Sequence, residues 1–395
     1  MKDGHSTRAH ALLSASSSDR WLNCTPSARL EDAVPNRSSS FAEEGTLAHE
    51  LGELLINQHF VTPKTVESKL IQVKIEQIKK NPLYSDEMLT YITSYADYII
   101  ERYNQDPRNT LIIEERTSFE DVVPGGFGTN DAIIITNNRI TVIDLKYGKG
   151  VEVSAHDNSQ LKLYAYGALM ANDITYDLGD EAIVELVIFQ PRLDNISTFE
   201  LTAKELTDWA RGYVKERADL ATKGEGDQVV GKWCKFCRVA ATCKAMAEFS
   251  DQQANSDFKD PKLLTDEEVI HYLGKVDIIS NWIKSLEAHV LTTAIEGKKW
   301  PGYKLVEGRS NRKFTDEETI IALLKTNNFT DEEILNIKLK GITDIEKLLG
   351  KKTFNEMLTK YITKPAGSPT LVPVSDKREE LIIDKEKQIN DDFND

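Results

Sequence analysis

Residues 131–146, DAIIITNNRITVIDLK, constrain the fold of this chain more than any other stretch. Two β-branched runs flank the pair Asn137-Asn138. Branched side chains suit a pleated, half-buried surface, so each run predicts a strand. Asn tolerates the backbone angles of a tight two-residue turn, so the pair predicts a hairpin. Counting outward from that turn sets Thr136 opposite Arg139 and Asp131 opposite Asp144. Opposed residues share a face, with Cβ atoms about 4.5–5.5 Å apart. Lys146, two residues beyond Asp144, lies on that face as well. Two carboxylates at such a distance repel unless a cation compensates. One reading is a solvated strand end running into a charged turn. The other is a metal site, because Mg²⁺ binds through one or two carboxylates. A lysine beside the ion orients or activates water, or offsets charge developing on a phosphate. The glycines of GGFGTN (125–130) let a backbone or ligand come close.

The elements around this hairpin set its context. Leu47, Leu51, Leu54 and Leu55 form one helical stripe over 41–56, with His49 on the opposite side beside Gly45 and Gly52. Residues 86–103 repeat apolar side chains at helical spacing, and 110–119 read as a strand. Residues 157–171 predict a helix, 182–191 a strand stopped by Pro191, and 203–222 a further helix. Helix, three strands, helix, strand, helix is the order of one mixed α/β domain. Beyond about 250 the pattern turns helical, with one short β-like stretch at YKLVEGRSNRKF. Residues 366–395 read as a linker and charged tail. The chain has 395 residues and is 40% hydrophobic, enough for a core. No apolar run has the length of a membrane span, and the first residues lack a signal-type apolar core. The chain is read as cytoplasmic. Its net charge of −15 opposes nucleic-acid binding in bulk. Many of the acids lie in the last third, which leaves room for a local basic groove.

Four cysteines are present, Cys24, Cys234, Cys237 and Cys243. In a cytosolic chain such a set more readily binds metal than forms disulfides. Four thiolates suit tetrahedral Zn²⁺ or an iron–sulfur cluster. Lys232, Lys235, Arg238 and Lys244 surround the last three.

These pieces resemble the PD-(D/E)XK nuclease superfamily, and within it the RecB-type exonucleases, including the CRISPR-associated RecB-like group. GTLAHE carries Gly45 and His49 in a G-x-x-x-H helix motif. GTND carries Asp131, IDLK carries Asp144 and Lys146, and QLKLYAY carries Gln160 and Tyr164 in Q-x-x-x-Y. The motifs come in the family's order and cover about residues 12–250. More loosely, the whole chain looks like phage and prophage proteins of this type.

The resemblance implies a restriction-endonuclease-like α/β core, a mixed central sheet flanked by helices, over residues 1–250. A mainly helical accessory region over 251–365 would follow it. It implies that His49, Asp131, Asp144 and the Leu145 carbonyl hold Mg²⁺ or Mn²⁺. Lys146 would assist the attacking water, and Gln160 and Tyr164 would position the strand or the catalytic groups. It favours a [4Fe–4S] cluster on the four cysteines, tying the N-terminus to the end of the domain, with structural Zn²⁺ as the alternative. Glu114 and Glu115, in the preceding strand, are read as structural or surface residues.

The expected function is metal-dependent DNA cleavage, by an exonuclease acting on single- or double-stranded ends in a bacterial host cell. Phage recombination or end-processing is the implied setting, with a phage recombination protein as a candidate partner. No P-loop motif is present, so no ATP use is expected. Two alternatives stand beside this. One is a catalytically weak nuclease-fold scaffold that binds DNA or a partner, and the other is a zinc-stabilised protein with unrelated chemistry.

Overall fold

The hairpin turns at Asn137-Asn138, with Thr136 paired to Arg139. A computed structural model describes residues 12–35, 40–176, 178–254, 265–306, 316–327, 330–335, 341–358 and 361–362. Two units divide between Val306 and Glu307.

The first unit begins with two short helices, α1 (Ser18–Asn23) and α2 (Ser27–Asp32). Three longer ones follow, α3 (Ser40–Phe60), α4 (Val66–Ile78) and α5 (Asp86–Asn104). Thr65 and Ser85 cap α4 and α5 by accepting from Ser68 and Met88 N–H groups, satisfying donors that a first turn leaves free. The strands β1 (Thr110–Ser118), β2 (Phe127–Thr136) and β3 (Arg139–Leu145) form a meander. Helix α6 (Ser159–Tyr176) then crosses to β4 (Ile183–Gln190), which pairs parallel to β3. Strand β5 (Asn195–Thr202) closes the sheet, whose order is β1-β2-β3-β4-β5. Thr202 and Glu205 form a capping box that starts α7 (Ala203–Trp209). It continues through a π turn into α8 (Lys215–Lys223), which ends at Gly224 in the left-handed region.

The sheet is covered on both faces. Ile133, Ile135, Ile140, Val142, Val184 and Leu186 pack under α6, α7 and α8, together with Trp21 and Leu22 of α1. Ala132, Ile134, Ile143, Leu145, Val187 and Phe189 pack under α3, α4 and α5. Burial on both faces explains why β3 and β4 read as continuous apolar runs rather than alternating ones.

Two short turns, Lys232–Phe236 with Cys234 inside it and Cys237 after it, and Ala240–Thr242 followed by Cys243, precede α9 (Lys244–Ala254) and α10 (Asp266–Ile295). Helix α10 packs against both turns, so residues up to 306 lie with the first unit. The sequence reading set its boundary at 250. The second unit contains α11 (Glu317–Thr326), α12 (Asp331–Ile334), α13 (Ile342–Leu349) and α14 (Lys351–Leu358). Residues 366–395, read as linker and tail, lie outside the described residues. Among the described residues, no helix is long and apolar enough to cross a membrane.

Candidate active site

At one end of the sheet the ladder opens around Asp131. Strands β2 and β3 pair down to Ala132 and Ile143 in the register counted from the turn. Beyond that pair the Asp131 side chain takes the place of the ladder. Leu145 N–H donates to its Oδ2 at 2.8 Å. Its Oδ1 lies 3.0 Å from His49 Nδ1. On the other side, β1 and β2 pair at Ile113 with Ala132 and at Glu115 with Asn130, but not between. Glu114 there has φ of 52°, which costs a non-glycine residue about 1–2 kcal/mol. Register is the same on both sides of this break, so Glu114 stands opposite Asp131. Ligand atoms of His49, Glu114 and Asp131 all lie within 4.8 Å of one another.

His49 is held there by the far side of α3. Leu47, Leu51 and Leu54 are buried against the α5 layer. Gly52 lies on the Tyr95 ring: a Cβ there would sit 3.2 Å from Cε1, so the missing side chain lets α3 settle on α5.

Asp144 and Lys146 meet α6 from the opposite layer. Asp144 is 4% exposed. Lys146 Nζ sits 2.9 Å from Asp144 Oδ2 and donates to Gln160 Oε1 at 2.9 Å. Gln160 Nε2 in turn donates to Asp144 Oδ1 at 3.3 Å and to Tyr164 Oη at 3.1 Å. Gln160 and Tyr164 are one helical turn apart and share a face. The Tyr164 ring lies over Gly128, where a Cβ would come 2.3 Å from Cε1. Tyr164 therefore both packs against the core and bonds Gln160. Behind the site, Lys146 N–H continues the parallel ladder to Phe189 O. Buried Gln190 donates to Gly148 O and Val151 O and accepts from Val153 N–H, pinning the loop after Lys146.

The electrostatics set the acids apart. Burial pushes His49 down, but the Asp131 carboxylate beside it outweighs this and lifts it to about 9. Burial raises Asp131, yet His49 and the Leu145 N–H hold it below the usual range. Asp144 is pushed up, first by burial and then by Asp131, against the pull of Lys146. Its Oδ2 accepts no well-angled hydrogen bond, and Tyr95 Oη nearby is also buried without a partner. A buried carboxylate oxygen in contact with a lysine, in the field of a second acid, suits the neighbourhood of a hard divalent cation. Among the described residues, His49, Glu114 and Asp131 bring their ligand atoms close enough together to fit such an ion, with Asp144 beside them.

The four cysteines line one apolar cavity of about 20 Å³ with Leu30, Val229 and Trp233 among its walls. None is in a disulfide. Burial raises the Cys24 and Cys234 thiols and pushes Cys237 up to about 12. Among the described residues, only His49, Glu114 and Asp131 bring three such ligand atoms within 4.8 Å, so the sulfurs are spread wider. The segment bearing Cys24 is also fastened by ordinary bonds. Arg217 donates to Leu22 O, Thr25 Oγ1 to Glu225 O, and Arg20 to Phe236 O. Buried Glu31 accepts from Arg20 and from Arg238 N–H. Lys232, Lys235, Arg238 and Lys244 are exposed, as a local positive surface requires.

The structure thus brings together His49, Asp131, Asp144, Lys146, Gln160 and Tyr164, all named from sequence. It adds Glu114, which was read as structural or surface. Only a count across the β1–β2 connection would have found it, and that connection carries no short turn to count from. Over residues 10–379 the chain matches the family model described as a protein of unknown function, DUF2800, and the chain belongs to that family. It is also similar to a solved structure described as a crystal structure of SSO0001. Identity is 20% over 49% of this chain and 94% of that one, with a TM-score of 0.25.

Proposed function

We propose that this DUF2800 member is a divalent-metal-dependent DNA nuclease of the PD-(D/E)XK type, RecB-like, acting on DNA ends. One observation carries the reading. A buried, raised Asp144 faces Asp131, with Lys146 against its unbonded oxygen. Such an arrangement is costly for folding alone, because two carboxylates in low dielectric repel. Active sites are where such costs recur.

His49, Asp131, Asp144 and Glu114 would hold Mg²⁺ or Mn²⁺. When bound, the ion supplies positive charge and polarises a phosphate oxygen. The remaining work falls to the chain. Lys146, held between Asp144 and Gln160, offers a cationic donor to a water or to a phosphate oxygen. Gln160 fixes the lysine, Tyr164 fixes Gln160, and Gly128 makes room for Tyr164. His49 and the Leu145 N–H fix the two oxygens of Asp131. The four cysteines would hold a metal group that joins Cys24 to the end of the domain. A tetrahedral zinc site with bonds of about 2.3 Å needs sulfurs about 3.8 Å apart. The resemblance favours a [4Fe–4S] cluster, and structural zinc stands as the alternative. Metal analysis of anaerobically purified protein decides: iron with sulfide for the cluster, zinc alone for the ion.

The central experiment uses end-labelled linear DNA, single- and double-stranded, with Mg²⁺ or Mn²⁺. Wild type cleaves, and Asp144→Ala loses at least a hundred-fold in rate, the scale on which removing one catalytic group acts. Full activity in Asp144→Ala sinks the assignment. The net charge of −15 favours a second reading, a nuclease-fold scaffold for a protein partner in phage recombination. A wild type that binds DNA or a recombination protein without cutting would favour it.

A further inference from the structure

Moving outward from Asp131, one face of the β1–β2 hairpin changes character in a graded way. Beyond the break, strand alternation sets Thr129 and Phe127 on one face of β2 and Arg116 and Ser118 on the same face of β1, the side toward which Asp131 turns to reach His49. Thr117, Gly128 and Asn130, on the other face, are buried. The first face is the open one, with Arg116 and Ser118 exposed. The Arg116 guanidinium lies 3.7 Å from the Phe127 ring centre, close enough to stack. A cavity of about 310 Å³ opens beside this pair, lined by Arg116, Ser118, Glu120, Gly125 and Phe127. Arg116 lies two positions along from Glu114 and Phe127 four from Asp131, about 7 Å and 13 Å along a strand. These steps match one and two extended nucleotides.

We propose that this face is a track for a single nucleic-acid strand, with an unpaired base held in the cavity against the Phe127–Arg116 stack. The proposal rests on the nuclease reading for its origin at the acids, and adds the class of substrate. A guanidinium pinned on a ring presents its outer plane to a base and its edge N–H groups to a phosphate. Base stacking of this kind needs an unpaired nucleotide, since bases in a duplex already stack on their neighbours. Glu120 repels phosphate but accepts from a base amino group, so the cavity suits a base rather than the backbone. The two glycines at 125 and 126 keep the cavity's far wall low.

Fluorescence anisotropy with the full chain tests this, using fluorescein-labelled oligodeoxythymidylate in Ca²⁺ so that affinity is read apart from cleavage. Phe127→Ala and Arg116→Gln are each expected to weaken binding about ten-fold, within the range for loss of one stacked base. Phe127→Trp should restore it. An abasic oligomer of equal length should bind wild type and Phe127→Ala alike. Arg116 is exposed, so Arg116→Gln gives the answer even if Phe127→Ala fails to fold. Wild-type affinity for oligodeoxythymidylate in Arg116→Gln and in folded Phe127→Ala overturns the track, as does an equal loss on the abasic oligomer. The two readings separate cleanly. Cleavage lost in Asp144→Ala but binding unchanged in the stack variants removes the track alone. A wild type that never cuts, with the stack variants still weakened, removes the nuclease and leaves the track.

Discussion

His49 carries the clearest pH signature of the site. Its folded value of about 9 lies above its ordinary 6.5. In metal-free protein the stability from its pair with Asp131 is therefore full below about pH 6.5 and is lost as pH rises through about 9. Thermal unfolding across that window should show the loss, and His49→Ala should flatten it. A metal ion takes the neutral imidazole, so Mn²⁺ binding should release a proton over the same range and tighten with pH. Calorimetry in two buffers of different ionisation enthalpy measures that proton, and affinity independent of pH contradicts it. Glu114 poses the opposite trade. Its left-handed backbone costs about 1–2 kcal/mol, which Glu114→Gly removes. That variant should melt higher without metal, bind Mn²⁺ more weakly and cut more slowly. Asp131, Asp144 and Lys146 were legible from sequence because Asn137-Asn138 allowed the facing residues to be counted. Glu114 was not, because residues 119–126 join β1 to β2 through a longer loop and leave the register open.

At the scale of elements, the site depends on how closely α6 approaches β2. Gly128→Ala would drive a methyl into the Tyr164 ring, at a cost of about 1–3 kcal/mol for overpacking. The displaced Tyr164 should release Gln160 and then Lys146, so the rate of DNA cleavage should fall more than stability predicts. A melting curve beside a cleavage assay tests this, and unchanged cleavage with lowered Tm would show that Tyr164 only packs. Helices α3, α5, α6 and α7–α8 and the four apolar strands were readable from periodicity and branched residues. Strand β5 was missed for a physical reason. It is an edge strand whose burial alternates, but its inward positions include polar Asn195 and Ser197 while Ile196 is 51% exposed, so apolar residues do not mark the alternation. Helix α4 was also passed over: its buried Ile71, Ile75 and Ile78 are matched by exposed Val66, Leu70 and Val73, which blurs the stripe.

For the whole first unit, the metal group proposed on the four cysteines would join residues far apart in the chain, and loop closure over that length should add stability. Cys24→Ser is expected to lose bound metal and lower Tm by several degrees. The fold should survive it, because Arg217, Thr25 and Glu31 hold the same segment. Far-ultraviolet dichroism with metal analysis reads both outcomes, and collapse of the fold would show that the metal group, not these bonds, is what holds it. The proposed [4Fe–4S] occupant came from resemblance, since spacing alone leaves zinc open. That same fastening sets a timetable for synthesis. Trp21 and Leu22 belong to a core whose other walls include α8, and Cys24 shares its cavity with Cys243. A ribosome adding about 5–20 residues per second needs on the order of 10–40 s between those cysteines. Through that interval the nascent N-terminal segment lacks the α8 and cysteine-bearing part of its docking place, so its apolar side chains are a ready target for chaperones.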